Sequence, residues 1–144
     1  DQIVKAAMRL SELRYGGLIV IEQGVGLRAL AETGKGLDAD LSTDLLITLF
    51  TPYTPLHDGA VIVRREKIVA AACTLPLTQN AMYSRLYGMR HKAAIGVTEE
   101  SDAVTVVVSE ETGQLSVAYE GRLERGIDKF ALKDKVTTHL HITR

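Results

Sequence analysis

An α+β domain with a central mixed β-sheet flanked by helices is the fold this sequence predicts, on three observations. Helical periodicity occupies both ends of the chain, short β-branched runs fill its middle, and no repeat, linker or low-complexity stretch separates them. At 144 residues the chain has the length of one domain with a real core, so residues 1–144 are read as a single unit.

Each element follows from local chemistry. In residues 1–14, Ile3, Val4, Ala7, Met8 and Leu10 fall at helical spacing, and Tyr15-Gly16-Gly17 ends that helix. Residues 18–21 (Leu-Ile-Val-Ile) form a short buried strand. Glycines 24, 26, 34 and 36 make residues 23–40 mostly loop, with one helical turn at 27–31. Ser42 is an N-cap for a helix over 43–50, which Pro52 and Pro55 keep from continuing. Residues 60–63 and 68–75 form a hairpin across the charged residues 64–67, and Pro76 ends its second strand. A short helix near 82–87 is followed by Gly88 and by helical residues 93–97. The β-branched run at 103–108 is the strongest strand signal, and Thr112-Gly113 turns it into a partner at 115–119. A helix near 129–140 closes the domain.

Composition excludes several classes. Hydrophobic residues make up 46% and charged residues 24%, the balance of a globular protein. A formal net charge of −1 speaks against a general DNA or RNA binder, while leaving room for a small polyphosphate held by a few local cations. The one cysteine, Cys73, has no internal disulfide partner and sits in an apolar run, where it reads as a small core residue. No apolar run approaches the roughly 18 residues that cross a bilayer. The chain opens at Asp1 directly into a helical pattern, as a fragment of something longer would. There is no GxxxxGK[ST] loop, no GxGxxG opening a helix and no nucleophile-elbow serine. The histidines lack zinc-enzyme spacing, and His139 and His141 read as surface residues.

Three polar clusters stand at element ends. Asp58-Gly59-Ala60 opens a buried strand, where a carboxylate can ligate a metal or accept a hydroxyl proton and the glycine admits close approach. Arg90-His91-Lys92 opens a helical run, where cations, free amides and the helix dipole can grip an anion. Ser109-Glu110-Glu111 ends the valine-rich strand and can supply a phosphate contact and a hard-metal ligand. Taken singly, each favours a plain structural reading: an Asp-Gly turn, a solvated basic patch, a polar hairpin turn. Taken together, acid, base and acid at element ends describe a metal–polyphosphate site. Mg²⁺ or Mn²⁺ needs few protein ligands there, so two carboxylates suffice.

In this order the clusters resemble the diadenylate cyclase domain, whose signatures are Asp-Gly-Ala and Arg-His-Arg motifs. The likeness runs from about Leu13 to Leu123 and includes Glu32-Thr33-Gly34, residues 54–63, Leu75-Pro76-Leu77 and residues 93–99, most closely as in the membrane-anchored type. The resemblance implies a mixed, twisted sheet binding one ATP per domain. It also implies a reaction across a face-to-face homodimer that joins two ATP into cyclic di-AMP and releases two pyrophosphates. Carried over, Asp58, Gly59, Ala60, Arg90 and His91 would form the catalytic set. Asp58 and Glu111 would hold the divalent metal, with His57 as a further ligand or support. Thr74 and Leu75 would meet adenine, and Met89, Arg90, His91, Lys92, Ser109 and Glu110 the rest of the nucleotide. Two positions depart from the family: Lys92 replaces its second arginine and Met89 a common threonine. The type also implies an N-terminal membrane anchor ahead of the domain and a place on the cytoplasmic face of the membrane. A nucleotide sensor without catalysis is the alternative, and a purely structural interaction domain would leave the three clusters unexplained.

Overall fold

Residues 1–140 are described by a computed structural model. The amphipathic start folds as α1 (Gln2–Leu13), which buries Ala6, Ala7 and Leu10 and ends where Arg14 turns left-handed at φ 56°. The strand β1 (Gly17–Glu22) follows, then the turn α2 (Arg28–Ala31). Next comes a strand the sequence reading missed, β2 (Lys35–Asp40), at the expected loop. Its residues are exposed or half-buried, so no apolar face betrays it; pairing to a neighbour holds it in the sheet, with a register shift between Gly36 and Ala39 where Asp38 turns left-handed at φ 48°.

Ser42 caps α3 (Thr43–Phe50) as expected, its Oγ accepting from the Leu45 amide at 3.0 Å. The hairpin forms as β3 (Ala60–Arg64) and β4 (Lys67–Cys73). The short helix α4 (Ala81–Ser84) is tighter than read, and α5 (Met89–Glu99) is longer at both ends. Gly96 does not weaken α5. It lets the chain at Pro76 lie against the helix, because a Cβ there would overlap the Pro76 carbonyl oxygen. β5 (Val104–Val108) and β6 (Leu115–Tyr119) match the expected pair, and β7 (Arg122–Glu124) is a second edge strand without an apolar signature. The last helix, α6 (Leu132–His139), starts later than read.

The strands form one seven-stranded sheet in the order β2-β4-β3-β1-β5-β6-β7. β1 runs parallel to β3 and antiparallel to β5, so the sheet is mixed, and the fold is the expected α+β arrangement. Alternation in the central strands sorts side chains between two layers. Ile19, Ile21, Val104 and Val106 face α1, α3 and α6, while Leu18, Val20 and Val107 face α5. With both faces covered, these strands read as unbroken apolar runs.

His139 is not the free surface residue expected. It stacks on Tyr119 with centroids 4.5 Å apart and lies 3.7 Å from Glu124. His141 lies outside the described residues. None of the described helices is long and apolar enough to cross a membrane.

Candidate active site

Strand direction brings the three clusters together. β1 pairs Gly17 with Val108 at the end of β5, and Ile19 with Val61 near the start of β3. Parallel β3 therefore begins, and antiparallel β5 ends, at the same end of the sheet. Asp58-Gly59 leads into the first and Ser109-Glu110-Glu111 leaves the second. The first turn of α5 carries Arg90 and His91 to the same place, and Asp58, Arg90, His91, Ser109 and Glu111 line one cavity of about 750 Å³. That volume suits a nucleotide-sized ligand.

The acidic side is open. Asp58 is exposed and makes no hydrogen bond or ion pair among the described residues, and the same holds for the Glu111 carboxylate. Gly59 is required by its backbone: φ is +101°, and a Cβ would come within 2.9 Å of the Ala72 carbonyl carbon on β4. Ala72, also lining the cavity, itself adopts a left-handed conformation at φ 56°, opposite a register shift between β3 and β4.

The basic side is built into the helix start. Gly88 caps α5 without a side chain, so the first amides keep their donors for a ligand. Arg90 is largely covered, with 23% of its side chain exposed, and donates from Nη1 to Glu110 Oε1 at 3.4 Å. Its guanidinium rests on Gly16, where a Cβ would lie 2.5 Å from Cζ. Only glycine leaves that seat vacant, a role that the reading of Gly16 as a helix terminator missed. His91 Nε2 is buried with no hydrogen-bond partner among the described residues. Burial, then Arg125 and Arg90, hold its imidazole below the ordinary histidine range, so it is neutral at neutral pH.

Ser109 is fixed by its own turn. Its Oγ accepts from the Glu111 and Thr112 amides at 3.3 and 3.4 Å, leaving the hydroxyl proton free to donate. Across the cavity, Thr74 and Leu75 form a wall. The Thr74 amide donates to Thr33 Oγ1 at 2.8 Å, so a base seated there would take its backbone contacts from Leu75. Cys73 also faces this wall, and burial pushes its thiol up to about 11 against a weaker pull from the Gly34 backbone, which keeps it an inert thiol.

Three expected residues stand elsewhere. Ala60 is fully buried, with its methyl in the core beneath α5 rather than in the cavity. His57 turns back on its own loop, with Nδ1 2.8 Å from the Thr54 carbonyl oxygen, and does not line the cavity. Lys92 is half-buried one helix position past the mouth and also lies off the lining, because successive helical residues point about 100° apart. Met89 and Glu110 do line the cavity. Two residues that sequence reasoning did not name join them, Tyr87 and Arg125. Nothing local marks either one, since their placement depends on packing between α4, α5 and β7.

A family model described as DisA bacterial checkpoint controller nucleotide-binding matches residues 4–123. The chain is 46% identical over 134 residues to the cyclic di-AMP synthase CdaA of Bacillus subtilis, covering 93% of this chain and 49% of that protein. It is 42% identical over 142 residues to a diadenylate cyclase of Listeria monocytogenes, covering 95% of this chain and 52% of the relative. The chain thus spans about half the length of these curated relatives. Among solved structures, a double mutant of DacA from Staphylococcus aureus superposes with a TM-score of 0.93 at 43% identity, covering 98% of this chain and 94% of that one.

Proposed function

Since this chain belongs to the diadenylate cyclase domain family, we propose that it joins two ATP molecules into cyclic di-AMP with release of two pyrophosphates. The observation that supports this best is the convergence of Asp58, Arg90, His91, Ser109 and Glu111 on one cavity at one end of the sheet.

Each 3′-hydroxyl oxygen attacks the α-phosphorus of the other ATP. A new phosphodiester bond forms, the bond to pyrophosphate breaks with its electron pair leaving on pyrophosphate, and the hydroxyl proton passes by way of Asp58 to solvent. Asp58 orients that hydroxyl and accepts its hydrogen bond. The α5 amides, Arg90 and the Ser109 hydroxyl hold phosphate oxygens and stabilise charge that builds on them. A neutral His91 adds a donor whose proton does not depend on small pH changes near neutrality. Adenine lies against Leu75.

Asp58 and Glu111 fit a hard divalent cation such as Mg²⁺ or Mn²⁺: both carboxylates are unpaired among the described residues and both line the cavity. Among the described residues no group of three His, Cys, Asp or Glu forms a closed metal cage. That suits an ion which takes its remaining ligands from phosphate and water. When bound, it would polarise the α-phosphate.

One domain supplies half of the reacting groups, so the reading calls for a second copy facing the first. The membrane-anchored type it resembles would place the domain at the cytoplasmic face of the membrane, carried by an anchor outside this chain. No DNA or RNA partner is proposed.

Incubation with ATP and Mn²⁺ or Mg²⁺ tests the activity, with cyclic di-AMP expected by chromatography. Asp58→Asn should lower its formation at least about a hundredfold, because metal-borne charge stabilisation is worth several kcal/mol. Its melting temperature should hold, since Asp58 has no partner to lose among the described residues. A protein that binds ATP but yields no cyclic di-AMP at any concentration is a sensor, and the cyclase reading falls.

A further inference from the structure

The resemblance gives the pocket a second basic residue after the histidine, at position 92, yet Lys92 does not line the cavity. A different cation does. Arg125 directly follows β7 and reaches the cavity with its guanidinium carbon 4.9 Å from the centre of the Tyr87 ring. That ring is itself held: Tyr83 stacks on it at 5.8 Å with 20° between planes, and His91 lies tilted against it at 5.9 Å. Residues 83, 87 and 91 thus make a run of three rings that sets where Arg125 stands.

Arg125 has no carboxylate partner among the described residues, whereas Arg90 has Glu110. A cation steadied over an aromatic face keeps its N–H donors free for a ligand. Burial first, then the charges of Arg125 and Arg90, lower the basicity of His91, in keeping with both cations lying near the same imidazole. Such a concentration of positive charge is relieved by an anion, and the cavity is large enough to admit a triphosphate.

We propose that Arg125, seated on Tyr87, is a triphosphate-binding residue of this pocket and fills the part that the resemblance gives to position 92. The proposal rests on the nucleotide reading of the site and names a residue that reading does not use. Arginine suits the task because its planar fork can hold two phosphate oxygens at once.

Calorimetric titration with a non-hydrolysable ATP analogue and Mg²⁺, and with AMP, tests it. Arg125→Ala should weaken the analogue at least about tenfold, the worth of a charge-assisted hydrogen bond, and AMP much less. Arg125→Lys should recover part of the loss, and Lys92→Ala should stay within about twofold of the parent. Three results would overturn the proposal alone while the parent still binds and cyclises ATP. They are an Arg125→Ala variant that binds the analogue as the parent does, an equal loss for AMP and analogue, and a larger loss from Lys92→Ala. A parent that binds no analogue overturns the nucleotide reading and this proposal together. Melting temperatures of the Arg125 variants should match the parent, since Arg125 is exposed.

Discussion

The two faces of the sheet are packed with residues of different size. Beneath α1, α3 and α6 lie Leu10, Leu46, Phe50, Ile68 and Leu132, all nearly or fully buried. On the other face, Ala93, Ala94 and Val97 of α5 pack with Ala70, Cys73 and Ala118 beside the larger Leu18, Ile62 and Leu75. That side also carries Thr105 and Ser116, whose buried hydroxyls have no partner among the described residues. The first face closes over bulky side chains. The second brings backbone close to backbone, as at Gly96, and ends in the cavity, whose walls include Leu18, Cys73, Leu75 and Ala93 from the same layer. Phe50 and most of the other largest buried side chains lie on the face away from the site, and the site occupies the face where small residues are more common.

That contrast can be broken most strongly on the bulky face. Phe50→Ala should cost about 3–5 kcal/mol by urea unfolding, through lost burial and a cavity that α1 and α3 cannot refill. Nucleotide affinity of the fraction that stays folded should be unchanged. A large affinity loss in that fraction would show that the two faces are coupled.

Gly16→Ala should do the reverse. Its methyl would enter the space of the Arg90 guanidinium, the far end of a flexible side chain that can swing away at small cost to stability. Cyclic di-AMP formation should fall about tenfold, the value of one charge-assisted contact, while the melting temperature barely moves. Undiminished activity would show that Arg90 does not need this seat.

The smallest effect sharpens the contrast by pH. His91 is neutral in the folded protein at a pH where the unfolded chain already takes up a proton, because its folded basicity is depressed. The unfolded state then binds more protons, so stability declines as pH falls below about 6.5 and the decline levels off below the folded value. Arg90, Arg125 and the Tyr87 ring are the groups that face it. Thermal melts across this range should show a shallower decline for His91→Gln than for the parent. Parallel curves would mean that His91 is not held neutral.

Elements whose apolar pattern or cap lies within a few residues were legible in the chain. Ser42 announced α3, the run at 104–108 announced β5, and the hairpin of β3 and β4 followed from two apolar runs around a charged turn. β2 and β7 were not legible, since exposed edge strands have no buried face to pattern and are held in the sheet by pairing to their neighbours. The same division runs through the site. Asp58, Arg90, His91 and the Ser109 cluster were found because their residue types are informative where they stand. The displacement of His57 and Lys92 from the cavity depended on a turn back to Thr54 and on one step of helical rotation.

By itself the sequence determined the chemistry available: two acids, a basic helix start and a hydroxyl turn, each at the end of a regular element. Tertiary structure alone decided which groups meet. One parallel and one antiparallel partner of β1 bring distant ends to the same edge, Gly16 opens a seat for an arginine 74 positions on, and Arg125 comes to rest on Tyr87. Such meetings are set by strand direction and packing, which act between residues that share no local pattern.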